Sequence, residues 1–204
     1  MKHIVYILLI ALANNVDNIG ARIAYSIRGI KITTAINIWI SVITFFISAL
    51  AAYSGSVLSG LLSKQVSSAI SMLLLTAIGV WIIIEPYMKK SIRGEDSALE
   101  TGHSIFHIMI KPEKADLDNS KHIDFEEATV LGIALSINNI GGGISAGMIG
   151  LNSFWVGLLS ALISFLALWG GNYITDYFNK WHIGNKATII AGMMLIMIGI
   201  EQIL

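Results

Sequence analysis

Apolar residues run along the chain in six stretches, roughly 4–27, 36–60, 67–88, 128–149, 153–176 and 187–204. A hydrocarbon core about 30 Å thick takes about 20 residues of helix, so each stretch is long enough for one crossing. Lipid offers the backbone no hydrogen bonds, and every stretch is therefore predicted to be helical. Met1–Ile10 has the look of a signal h-region, but the apolar pattern runs on without a small-residue cleavage site, so a retained helix is expected. The apolar pattern is broken at two depths. Asn14, Asn15, Asp17 and Asn18 fall in the middle of the first stretch, with Arg22 close behind. Asn138 and Asn139 fall in the middle of the fourth, followed by Gly141, Gly142 and Gly143. A carboxylate at bilayer depth costs at least about 2.5–3.5 kcal/mol on insertion scales, so Asp17 is expected to face protein or water and to serve a function.

The two halves of the pattern overlay. Asp17-Asn18-Ile19-Gly20 matches Asn138-Asn139-Ile140-Gly141, and at the same offset Ile27-Arg28-Gly29-Ile30 matches Met148-Ile149-Gly150-Leu151. Trp39 pairs with Trp155 in the second stretches, and Ile78-Gly79 with Ile198-Gly199 in the third. Units of three spans must lie upside down relative to each other. The expected architecture is all-α integral membrane, six transmembrane helices as two inverted three-helix repeats, an arrangement that puts a site at the midplane. Residues 1–88 form the first repeat, 89–127 a polar loop and 128–204 the second repeat. Basic residues gather at Arg28, Lys31, Lys89, Lys90, Arg93, Lys111, Lys114, Lys121, Lys180 and Lys186, on one side of this topology. That side is expected to be cytoplasmic, with both termini outside.

Composition narrows the classes. The 204 residues are 55% hydrophobic and 13% charged, against roughly 25% charge in a soluble domain. The formal net charge is zero, which gives no basic surface for nucleic acid. The absence of cysteine removes disulfides, thiolate metal sites and cysteine nucleophiles. No phosphate loop, nucleophile elbow or HExxH pattern is present, so an enzyme is not expected.

The residues Leu12-Ala13-Asn14-Asn15-Val16-Asp17-Asn18-Ile19-Gly20 and Leu131-Gly132-Ile133-Ala134-Leu135-Ser136-Ile137-Asn138-Asn139 resemble the MntP/YtaF family of the LysE superfamily. The stretch Lys111-Pro112-Glu113-Lys114-Ala115-Asp116-Leu117-Asp118-Asn119-Ser120 is similar to the YtaF branch in particular. The resemblance implies a bacterial plasma-membrane location, two inverted three-helix repeats and efflux of a divalent cation such as Mn²⁺. It also implies an aspartate in the first helix of each repeat, with further acids in the second. Asp17 meets that pattern, but Asn138 stands at the second position and the span 36–60 holds no acid. The departure keeps open an alternative: a non-transporting, sporulation-associated membrane protein with a sensory or structural role.

On a continuous helix Asn14 and Asn18 are i, i+4 neighbours and Asn14 and Asp17 are i, i+3, so one face offers a carboxylate and two amides. Asn138 and Asn139 could meet them across the pseudo-twofold axis. The expected transport path is Asp17, Asn14, Asn18, Asn138 and Asn139, with Asp17 and Asn138 closest to the metal. Such oxygen donors suit hard divalent ions. Hydrogen-bonded glue between helices is the alternative for the asparagines. Gly141–Gly143 would break the helix and free carbonyls, or else would permit close packing, as would the Gly143–Gly147 and Gly20–Ala24 small-residue pairs. Arg22, five residues from Asp17, is expected to reach toward the headgroups.

In the polar loop, Asp116, Asp118, Ser120, His122 (through its carbonyl), Asp124 and Glu127 follow positions 1, 3, 5, 7, 9 and 12 of a calcium-binding EF-hand loop. Lys121 departs from the Gly expected at position 6. An acidic linker entering the fourth span is the alternative. Glu85 with Lys89, and Asp176 with Lys180, read as interfacial ion pairs. His103 and His107 have helical metal-ligand spacing but no third ligand. Glu201 reads as a solvated end carboxylate or part of an ion exit. No tightly bound cofactor is expected. The expected partners are membrane lipid and a divalent cation (Mn²⁺ or Ca²⁺), with no nucleic acid and with a homo-oligomer open to it.

Overall fold

A computed structural model describes residues 2–92, 115, 116, 118, 120–181 and 183–201. His103, His107 and the side chains of Glu85, Lys89, Asp176 and Lys180 lie outside the described set. The described residues form α1 (Lys2–Asn14), α2 (Val16–Arg28), α3 (Thr34–Gly60), α4 (Lys64–Ile92), α5 (Phe125–Met148), α6 (Ser153–Trp181) and α7 (Ile183–Glu201). Five helical segments are long and apolar enough to cross a membrane, and Gly192–Glu201 is a shorter apolar one. The chain is a helical membrane protein.

Its surface is inverted relative to a water-soluble domain. On α3 the exposed positions include Ile38, Val42, Phe46, Leu50, Tyr53 and Val57. The buried face of the same helix carries Asn37, Ser41, Thr44 and Ser48 beside Ile36 and Ile40. Large apolar side chains on the outside are costly against water but cost nothing against acyl chains.

The first crossing departs from the sequence expectation of one continuous helix. It is interrupted at Asn15, where φ is −115° and ψ 12°. The Asn15 N–H donates to the Leu12 carbonyl at 3.2 Å, three residues back rather than four. That leaves the Ala11 carbonyl without its usual donor, and Asn15 Nδ2 supplies one at 2.8 Å. A side chain that hydrogen-bonds its own preceding turn competes with the helix ladder. The substitution also keeps the backbone satisfied, which a break inside lipid requires.

α3 runs through the middle, packed most extensively on α5 and then on α6. α4 packs mainly on α7, and α2 on α6. Helices adjacent in sequence, α3 with α4 and α6 with α7, scarcely touch. The α3–α5 seam is backbone against backbone. A Cβ on Gly55 would fall on the Ile144 carbonyl, and one on Gly147 on the Ala52 carbonyl. Small residues permit such contact, and dispersion along it replaces the hydrophobic drive that lipid removes.

Two apolar clusters fill the interior. One holds Tyr25, Ile36, Ile40, Ala128, Leu131, Leu135 and Leu168. The other holds Ile7, Ile10, Ala13, Ala52, Ala146, Val156 and Leu195. α1–α2 and α6 run from the second cluster toward the first, and α3 and α5 run the other way. Between the clusters, at residues 14–18, 44–48, 136–139 and 160–164, lies a polar layer.

Candidate functional site

The polar layer forms where the break in the first crossing meets the middle of α5. Asn138 Nδ2 donates to Asp17 Oδ2 at 2.8 Å. The other carboxylate oxygen, Oδ1, accepts the Asn18 N–H at 3.0 Å, in the first turn of α2. Asp17 thus sits at the positive end of the α2 dipole. Beside this bond Asn15 and Asn139 pair amide to amide: Asn15 Nδ2 reaches Asn139 Oδ1 at 3.2 Å, and Asn139 Nδ2 reaches Asn15 Oδ1 at 3.5 Å. Asn18 Nδ2 donates to Asn15 Oδ1 at 3.1 Å and to Ser164 Oγ at 2.9 Å. Thr44 Oγ1 lies 3.0 Å from Ser136 Oγ and donates to Ser164 Oγ at 3.4 Å. α2, α3, α5 and α6 are thereby joined by side chains at one depth.

The layer is not fully satisfied. Asn14 Oδ1 and Asn18 Oδ1 are buried and have no hydrogen-bond donor among the described residues. Leaving a buried acceptor unmatched costs about 1–3 kcal/mol, so two within five residues call for a reason. Asp17 and Asn138 are half-buried, whereas Asn14, Asn15, Asn18 and Asn139 are buried. Five amide and carboxylate residues expected on the path are thus within one layer.

Two expectations need correction, and one open alternative is decided. Gly141–Gly143 do not break α5, which is helical from Phe125 to Met148. They are packing residues: a Cβ on Gly142 would fall on the Asn14 side chain, and one on Gly143 would come 2.8 Å from Ala51 Cβ. Gly20 meets nothing within 4 Å of its would-be Cβ, so its small-residue pair with Ala24 makes no close seam. Arg22 does not snorkel. It is 3% exposed, and its Nε and Nη1 have no hydrogen-bond partner among the described residues. The position of Arg22 on α2 turns it inward, beside Tyr25 in sequence and burial rather than toward the headgroups.

Thr44, Ser136 and Ser164 were not singled out in the sequence, and Asn15, though named in the cluster, was not placed on the path. A usable signal existed in α3, where Asn37, Ser41, Thr44 and Ser48 recur at helical spacing and mark the inward face.

The segment before α5 is built from the EF-hand-like residues. Asp124 caps α5: its Oδ1 accepts the Glu127 N–H at 2.9 Å, and Glu127 Oε2 accepts the Asp124 N–H at 3.2 Å. Lys121 takes the left-handed conformation, φ 63°, at the position where the loop pattern calls for Gly. Its N–H donates to Asp116 Oδ2 at 3.1 Å. Asp118 Oδ1 accepts the Ser120 N–H at 2.9 Å, and this bond holds the Asp118 carboxyl below its ordinary pKa. Ser120 Oγ donates to the His122 carbonyl at 2.9 Å. Oxygens of Asp116, Asp118 and Glu127 lie within 4.8 Å of one another. The segment is anchored by an isolated parallel bridge: Lys31 N–H to Lys121 O at 2.9 Å and Ile123 N–H to Lys31 O at 3.3 Å.

Residues 99–204, slightly more than half of the chain, match the family described as "Putative manganese efflux pump". The chain belongs to the MntP family. The match includes the loop carboxylates and Asn138, while Asp17 lies before it. A relative from Bacillus subtilis (strain 168), "Probable sporulation protein YtaF", is 29% identical over 207 residues, spanning 98% of this chain and 99% of the relative. No solved structure matches. MntP membership associates the fold with a pump and leaves the cargo of this chain to its own residues.

Proposed function

We propose that this MntP-family protein exports a hard divalent cation, Mn²⁺ being the family's example, through the polar layer between its two apolar clusters. The observation that carries the reading is the Asp17–Asn138 bond, flanked by the unmatched Asn14 and Asn18 carbonyl oxygens. Carboxylate and amide oxygens suit Mn²⁺ and exclude soft-metal chemistry. One carboxylate leaves a divalent ion partly uncompensated, so it crosses with some of its waters.

The architecture in this reading is two inverted three-helix repeats, 1–88 and 128–204, joined by 89–127. The opposed directions of α1–α2 against α5, and of α3 against α6, support it. So does the pairing: α3 with α5 and α2 with α6 exchange places under a twofold that carries one repeat onto the other, while α3–α6 and α4–α7 map onto themselves. Alternating access would rock one unit against the other around the shared layer. The bias of basic residues supports a cytoplasmic 89–127 loop and termini outside.

One observation favours a second reading. Arg22 is buried in the same helix as Asp17, and its charge opposes that of a cation. Together with Asn138 in place of an acid, it fits a sensory or structural protein that keeps the scaffold without the flux. Counterflow of Mn²⁺ in proteoliposomes separates the two. Export predicts saturable counterflow in the wild type and a loss of at least about tenfold in Asp17→Asn, with an unchanged elution profile. Absence of counterflow in wild type across Mn²⁺, Mg²⁺ and Ca²⁺ favours the second.

A further inference from the structure

We propose that Asp116, Asp118, Ser120, the His122 carbonyl and Glu127 form a binding site for a hard divalent cation of Ca²⁺ type, separate from the polar layer. Oxygens of Asp116, Asp118 and Glu127 converge within 4.8 Å, and two of these three residues are buried. Exposed carboxylates gather on many surfaces without a ligand. Buried ones do not, because each like charge raises the cost of the next.

The observation that points to a ligand is Asp116. The residue is 9% exposed, its Oδ2 accepts the Lys121 N–H, and its Oδ1 is buried with no hydrogen-bond donor among the described residues. A buried carboxylate oxygen with nothing to accept is what a bound cation would complete. The donors are all oxygen, drawn from the stretch 116–127, which matches the flexible multi-oxygen shell of Ca²⁺ better than the strict octahedron of Mg²⁺. Asp124 is occupied as the cap of α5 and would contribute only through water, as position 9 of such loops does.

Two features tie the site to the membrane part. Glu127 is both ligand and third residue of the helix that carries Asn138. The Lys31 bridge fastens the loop to the turn after α2, the helix that carries Asp17. Loading the loop therefore braces the loop-side ends of both helices that meet at the polar layer. The inference stands whether or not the layer transports.

The test is calorimetric titration of the full-length protein in detergent with Ca²⁺, Mg²⁺ and Mn²⁺. The wild type should show a saturable Ca²⁺ site with Kd no weaker than about 1 mM. Asp116→Asn and Asp118→Asn should each weaken it by at least about tenfold. Asp118 is exposed, so its variant stays informative should the Asp116 variant fail to fold. Lys121→Gly, which suits the left-handed backbone and removes a positive charge, should tighten binding. Asp17→Asn should leave this site unchanged. No saturable Ca²⁺ binding in the wild type, equal binding by Asp118→Asn, or loss of the site in Asp17→Asn would each overturn the proposal.

Discussion

In the first crossing three asparagines lie within five residues and the helix breaks. In α5 two asparagines and three glycines lie within six residues and the helix runs through. By intrinsic propensity α5 should have been the weaker of the two, since each Gly costs about 1 kcal/mol against Ala. The difference lies in where the amides spend their hydrogen bonds. Asn15 turns back onto the Ala11 carbonyl of its own helix. Asn138 reaches across to Asp17, and Asn139 across to Asn15. An amide used locally competes with the ladder, whereas an amide used across an interface does not. The α5 glycines are held in helix by what they admit, namely Ile78 of α4 at Gly141, the Asn14 side chain at Gly142 and α3 at Gly143.

The comparison can be broken most severely at the seam. Gly147→Val puts side-chain atoms onto the Ala52 carbonyl, a backbone group with no room to move. It should cost about 3 kcal/mol, the upper end for overpacking, and lower the thermal midpoint in detergent accordingly. Gly142→Val meets only the Asn14 side chain, which can rotate away, and should cost about 1–2 kcal/mol by the same measurement. Equal losses for the two would mean that packing at the break is as rigid as the seam. Asn15→Ala removes the competing side chain and its bonds to Asn139 and Asn18. It should cost about 1 kcal/mol, while slowing amide hydrogen exchange over 15–18 as the helix becomes continuous. Faster exchange there would show that Asn15 repairs the break rather than causing it. Ser136→Ala, which removes a single hydroxyl contact to Thr44, should cost about 0.6 kcal/mol, the mean for such bonds in a membrane bundle.

Five of the spans and the depth of the polar layer were legible because lipid imposes a length and a polarity rule on every crossing. The Asp17–Asn138 contact was legible because a repeat offset of 121 residues joins the two positions. The break at Asn15 was not, since the sequence does not say which of four neighbouring polar side chains turns back on its own helix. Arg22 was misread because snorkelling depends on the direction of the side chain, and the break at Asn15 changes the helix register that sets it. The serines and threonines of α3, α5 and α6 read as filler in apolar helices. Their roles emerge only when helices distant in sequence pack together. In the loop, ligand spacing was visible, but Lys121 argued against the left-handed backbone it in fact adopts, with φ at 63°.

The central claim is that Asp17 and Asn138 act as one cation site shared by the two halves. A charge swap addresses it directly: Mn²⁺ counterflow in proteoliposomes for wild type, Asp17→Asn, and the double variant Asp17→Asn with Asn138→Asp. At 2.8 Å the carboxylate occupies nearly the same place from either side. The single variant should be inactive and the double variant should regain flux. A double variant as dead as the single one, or a single variant that transports like wild type, would contradict the account.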